Sequence, residues 1–158
     1  MQRSAIVRSG LLALAAVLGL ASCAQSGDTV SKVKIFRLDP KARSRGVDPA
    51  IAFEYRHRLH GAITAEEFAE RAGNYDTAFW SVTDRSQPVT VRFEYKQAAT
   101  GSKVNVIEQE VAEPKRSNIT EFQVTGPAYA TGGKIVAWRI VLKRGKEELA
   151  TRDSYLWK

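Results

Sequence analysis

After Cys23 this chain has no further cysteine, and His57 and His60 are its only histidines. An intrachain disulfide is therefore excluded, as is a thiolate metal centre, which needs several convergent sulfur ligands. If residues 51–60 form a strand, histidines three apart point to opposite faces and cannot chelate together. His57 falls in the apolar phase of that segment, as an interior or rim residue, and His60 at its solvated end. No G-x-S-x-G elbow occurs, and Gly126, Gly132 and Gly133 lack the spacing and the lysine of a phosphate-binding loop. A Ser/His/Asp arrangement built from distant positions stays open, although no residue pattern favours it. Long apolar runs are missing too. The longest, Leu11–Ala21, is shorter than the roughly 20 residues that cross a bilayer as a helix.

What that run does is set by its flanks. Arg3 and Arg8 precede it, small residues follow, and the lone cysteine comes next, the order of a secretory signal. Leu20-Ala21-Ser22-Cys23 resembles the lipobox of bacterial lipoproteins. That resemblance implies cleavage before Cys23, a diacylglyceryl thioether on its sulfur, and a mature N-terminus at that residue. Ser22-x-Ala24 also satisfies the small-x-small rule for ordinary cleavage, and an uncleaved anchor is a third alternative. Each buried CH₂ is worth about 0.8 kcal/mol, and two or three acyl chains anchor a protein almost permanently. Ala24 rather than Asp follows the cysteine. By the enteric sorting rule the resemblance implies an outer-membrane lipoprotein facing the periplasm.

Three segments result: a signal peptide at 1–22, a lipidated cysteine and polar tether at 23–30, and a folded domain at 31–158. Removing Arg3 and Arg8 with the signal lowers the formal charge from +7 to +5. A single domain of this length buries about 68% of its unfolded surface, enough for a core without cross-links. Basic clusters occur at Lys41/Arg43/Arg45, Lys115-Arg116 and Lys143-Arg144-Gly145-Lys146, each near an expected turn. Solvated lysine and arginine are ordinary there. The functional alternative is attraction to anionic lipid or envelope polymers, screened beyond about 10 Å at 0.1 M salt. Nucleic acid is not an expected partner for an exported chain.

The remaining pattern is β. Strands are expected at Lys32–Leu38, Ile51–His60, Val89–Lys96, Lys103–Val111, Asn118–Val124, Ile135–Lys143 and Glu148–Trp157, with Thr77–Thr83 as a weaker eighth. Residues 51–60 show the cleanest alternation, with Ile51, Phe53, Tyr55, His57 and Leu59 on one face. A phase shift between Val106 and Ile107 suggests a bulge, and Ile135–Lys143 reads as a central strand carrying Trp138. Thr64-Ala65-Glu66-Glu67 has the form of a capping box and opens one short helix, stopped by Gly73-Asn74. Ala52–Arg56 (AFEYR) and Arg92–Lys96 (RFEYK) look alike, which we attribute to the same demand for an aromatic-lined strand face. The expected fold is all-β: an antiparallel sandwich of seven or eight strands with one short helix. Within 84–157 the Phe93-Glu94-Tyr95 strand, the Gly101 hairpin, the Pro114/Ser117 connection and the Trp138 hairpin resemble immunoglobulin and fibronectin-III-like domains of small envelope lipoproteins. The Cys…Trp…Cys signature of true immunoglobulin domains is absent.

Site chemistry is sparse. Glu66-Glu67 suits a helix start, Glu108 and Glu110 share a solvated strand face, and Glu147-Glu148 begins the last strand. Asn118-Ile119-Thr120 matches a glycosylation acceptor by chance. Phe79, Trp80, Tyr129 and Trp157, near strand ends or loops, are candidate partner-contact aromatics, or plugs for the open ends of the sandwich. No cofactor, metal or catalytic residue is expected, and Cys23 is the lipid attachment site. The expected role is a non-catalytic module that docks an envelope protein or polymer. An accessory subunit of a secretion or envelope-assembly machine is the alternative, and an envelope-polymer hydrolase a third.

Overall fold

The structure is a computed structural model that describes residues 27–39 and 48–158. Cys23, the signal segment, the first half of the 23–30 tether and the Lys41/Arg43/Arg45 cluster lie outside the described residues. Among the described residues seven strands form two antiparallel sheets. They are β1 (Thr29–Leu38), β2 (Gly73–Ser81), β3 (Val89–Gln97), β4 (Asn105–Val111), β5 (Asn118–Thr125), β6 (Ile135–Arg144) and β7 (Glu147–Asp153). The first sheet has the order β1-β2-β5 and the second β4-β3-β6-β7. The two sheets form an antiparallel β-sandwich. In the constant-type immunoglobulin order the fourth strand flanks the fifth in the first sheet; here β4 flanks β3 at the edge of the second.

Alternation explains the core. Val89, Val91, Phe93 and Tyr95 of β3 face inward, while Arg92 and Glu94 pair on the outer face at 2.6 Å. Phe122 of β5 meets Phe93 from the opposite sheet, ring centroids 5.0 Å apart. Trp80, Val124, Ile140 and Leu142 complete this layer. As expected, β6 is interior and carries a buried Trp138. Residues 77–81 of the weak segment at 77–83 belong to β2, which starts at Gly73 and is the centre of its sheet rather than a marginal eighth strand.

Among the described residues three α-helices, not one, punctuate the sandwich: α1 (Pro49–Leu59), α2 (Ala65–Arg71) and α3 (Gly126–Gly132). The largest correction is α1, which replaces the strand expected at 51–60. Asp48 caps it by accepting the Ala50 amide hydrogen at 2.8 Å, and Pro49 occupies the first turn, where its missing N–H costs nothing. Arg56, His57 and Arg58 fill the last turn, where cations are favoured. Ala52, Tyr55 and Leu59 recur at helical spacing and are half-buried, with Glu54 and Arg58 beside them. His57 is accordingly exposed and stacked on Phe53, centroids 6.0 Å apart, instead of interior.

Helix α2 starts as the sequence requires. Thr64 accepts from the Glu67 amide at 3.2 Å and Glu67 accepts from the Thr64 amide at 2.9 Å, a closed capping box. It ends before Gly73, which belongs to β2. Helix α3 is fastened by Gln97, whose buried amide donates to the carbonyls of Ala128 and Gly133 at 3.1 and 2.9 Å. A methyl group at Gly132 would stand 2.3 Å from the Gln97 amide carbon, so only glycine admits this staple. The β3–β4 register runs without a shift, so the bulge expected at Val106/Ile107 is absent; Val106 simply faces solvent on an edge strand. The last strand ends at Asp153, and Trp157 lies in a short 3-10 turn, held where the Ser154 amide donates to Trp138 O at 2.8 Å.

Candidate functional site

The outer face of the first sheet is covered along only part of its length. Strand alternation puts Lys34 and Phe36 of β1, Tyr75, Thr77 and Phe79 of β2, and Ile119 and Glu121 of β5 on this face, in register across the three strands. Helix α1 lies over the Phe36–Tyr75 end. Between the helix and the sheet runs a groove of about 630 Å³, lined by Lys34, Ile35, Phe36, Ala50, Ile51, Phe53, Glu54, Arg58, Tyr75 and Thr77.

Arg58 fixes the helix to the sheet. Its guanidinium donates to both carboxylate oxygens of Glu121, at 3.1 and 2.7 Å, and its Nε stands 3.4 Å from Glu54. The same group sits 3.9 Å over the Tyr75 ring and 5.6 Å from that of Phe36. The bidentate bond from Arg58 holds the Glu121 carboxyl below its ordinary range. Burial opposes the Arg58 charge, but the Glu121 hydrogen bond and the fields of Glu121 and Glu54 outweigh it, so its pKa is raised. Tyr75 donates its hydroxyl to Arg71 O at 2.7 Å, and burial raises its pKa. The groove wall is thus a locked ion pair on an aromatic floor. Its apolar lining is bare on the helix side, where Ile51 is 45% and Phe53 59% exposed.

A second groove, of about 580 Å³, opens where the three helices meet. Leu59, Phe68, Ala69, Ala72 and Tyr129 line it, with Asp39 at its mouth.

The aromatics singled out from the sequence do not converge. Trp80 is 2% exposed and donates its indole N–H to Thr120 Oγ1 at 2.9 Å, so it is a core residue and cannot meet a partner. Its even-numbered position in β2 aims it between the sheets. Phe79, one residue earlier, faces outward with Lys34 Nζ 5.3 Å from its ring centroid. Tyr129 belongs to the second groove. Trp157 packs under Lys96 Nζ, at 4.8 Å, on the outer face of the other sheet. The groove residues Ile51 and Phe53 were missed because their alternation placed them inside a strand. Asp48-Pro49, a cap followed by a first-turn proline, was the signal that identified the helix.

One titratable group lies apart from both grooves. Asp76 is fully buried between the sheets, and neither of its carboxylate oxygens has a hydrogen-bond partner. Burial, with the Glu121 charge as a lesser cause, pushes its pKa up to about 7. It lines neither groove, so its proton is a matter of stability. Among the described residues no three His, Cys, Asp or Glu side chains are placed to hold a metal, and no helix is long and apolar enough to cross a membrane. Compared with known proteins, the chain matches no family model, no curated protein and no solved structure.

Proposed function

We propose that this chain is a lipid-anchored envelope protein whose sandwich is a non-catalytic docking module, and that the groove beside α1 receives an apolar segment of a partner protein. The lipobox-like Leu20-Ala21-Ser22-Cys23 supports the anchor, and outer-membrane attachment facing the periplasm follows from Ala24. The observation that carries the docking reading is the pair of bare side chains Ile51 and Phe53 beside a groove whose walls are already locked by Arg58. A preformed apolar cleft with few polar groups holds a ligand without paying to order itself. Lys34 at its rim, and exposed Arg56 on the same helix, favour a segment that carries acidic residues beside its apolar ones.

The test is crosslinking in living cells, with attached neighbours identified by mass spectrometry and a Cys23→Ser control. The proposal predicts one reproducible neighbour, lost when the chain is not anchored. If that neighbour belongs to a secretion or assembly complex, the module is its accessory subunit. Capture of glycan alone replaces the protein partner with a polymer, and no neighbour above background overturns docking.

A further inference from the structure

The strand registers bring every loop of one end of the sandwich to the point where the chain leaves toward Cys23. Thr29 opens β1 opposite Ser81, the last residue of β2. Trp80 lies opposite Asn118, which opens β5, and Val89, which opens β3, lies opposite Val111, which closes β4. Arg144 pairs with Glu147 across the β6–β7 turn, while Lys143 pairs with Thr90 near the start of β3. The loops 82–88 and 112–117 and the turn at 145–146 therefore share this end with the N-terminal exit. The helices and the loop at 98–104 occupy the other.

Cations from separate segments of the chain gather at this end. Arg85, Lys115, Arg116 and Lys146 stand exposed on these loops. Two neighbouring carboxylates are turned to internal use: Asp28 accepts the Thr83 amide at 2.6 Å, and Asp84 binds Ser86 and pairs with Arg144 at 3.4 Å. Glu110, Glu113, Glu147 and Glu148 are the other acids at this end. At the far end, Glu66, Glu67 and Glu70 of α2 are joined by Arg56, Arg71, Lys103 and Lys134. Two of the three basic clusters in the sequence, separate along the chain, thus converge at the anchor end.

We propose that this end of the sandwich rests against an anionic phospholipid bilayer, held by the exposed cations of the three loops, so that the α1 groove is turned away from the membrane. The proposal rests on the reading of Cys23 as a lipid anchor. Five residues lie between Cys23 and Thr29, and the six steps span at most about 20 Å. A ten-residue strand such as β6 is itself about 33 Å long. The short tether holds the loop end near the headgroups, within reach of an attraction that fades over about 10 Å at 0.1 M salt.

Lysine acetylation read by mass spectrometry measures the orientation without altering the chain. The protein is purified with its native anchor and reconstituted into vesicles of phosphatidylethanolamine and phosphatidylglycerol, or of phosphatidylcholine alone. A parallel sample of the chain from Cys23 onward, whose described elements all lie within 27–158, is coupled through that cysteine to a maleimide lipid. On anionic vesicles Lys115 and Lys146 should react about threefold more slowly or less, relative to Lys103 and Lys134 at the far end. The contrast should vanish on phosphatidylcholine, and Lys115→Glu with Arg116→Glu should restore Lys146 reactivity. Equal reactivity at both ends, protection of Lys32 and Lys34 instead, or protection that persists on phosphatidylcholine overturns the proposal. The mass of the native protein reports lipidation at Cys23 independently. An unlipidated mass refutes the anchor reading, while the coupled sample still decides the orientation.

Discussion

Replacing Asp76 by asparagine should stabilise the protein at neutral and alkaline pH, by an amount that the carboxyl's own titration sets. The side chain is sealed between the sheets, its oxygens have no hydrogen-bond partner, and its pKa is about 7 against an ordinary 3.8. Between those two values the native state holds a proton that the unfolded chain releases, so stability falls as pH rises from about 4 to about 7 and is level above that. A shift of about three pKa units corresponds to about 4 kcal/mol at the alkaline plateau. Asparagine keeps the shape and cannot ionise. The stability gap between Asp76→Asn and wild type should therefore widen in favour of the variant by about 3 kcal/mol between about pH 4.5 and about pH 8. Urea unfolding followed by the fluorescence of buried Trp80 and Trp138 measures it, with equal m-values confirming comparable unfolding. Other titrating groups are common to both chains and cancel in the difference. A gap that stays constant with pH, or that widens toward acid, refutes the reasoning.

Three further substitutions probe the frame around the groove. Arg58→Ala leaves Glu121 without its bidentate partner and removes the cation over Tyr75; it should cost about 1–3 kcal/mol. Amide exchange should quicken across 49–59 while the core of β3 and β6 stays protected. Gly73→Ala places a Cβ 2.2 Å from Val124 O at a φ of +157°, and should cost more than about 2 kcal/mol in urea unfolding. Thr64→Ala opens the capping box and should cost about 1 kcal/mol, with the loss confined to α2 in amide exchange.

Residues 53–55 and 93–95 are both Phe-Glu-Tyr, yet one lies in a helix and the other in a strand. The tripeptide carries no decision of its own. Val89, Thr90 and Val91 lead into the second copy with β-branched residues that suit a pleated sheet. Asp48 and Pro49 lead into the first with a cap, and no β-branched residue follows Ile51 until Ile63. Alternation alone therefore misled at 51–60, because half-buried helical spacing and period-two spacing coincide over ten residues when both faces hold aromatics and charges. The sandwich itself was legible, since β3, β5 and β6 display their inward residues plainly. β2 was not, because it buries Asn74 and Asp76 at positions where apolar residues are expected. The groove was illegible for a related reason: it is made by α1 against a sheet face, and mistaking the helix hid both its walls. The Arg58–Glu121 bond joins residues 63 apart in sequence and leaves no local trace.

The docking claim is tested most directly by a photo-crosslinking amino acid placed at Phe53 in living cells, with the same group at Val106 on the edge of the other sheet as the control. Both positions are exposed, at 59% and 43%, so each tolerates the substitution. The account predicts one discrete crosslinked partner from Phe53 and none from Val106. Identical products from both positions, or none from Phe53 while the anchored protein is present at normal levels, would contradict it.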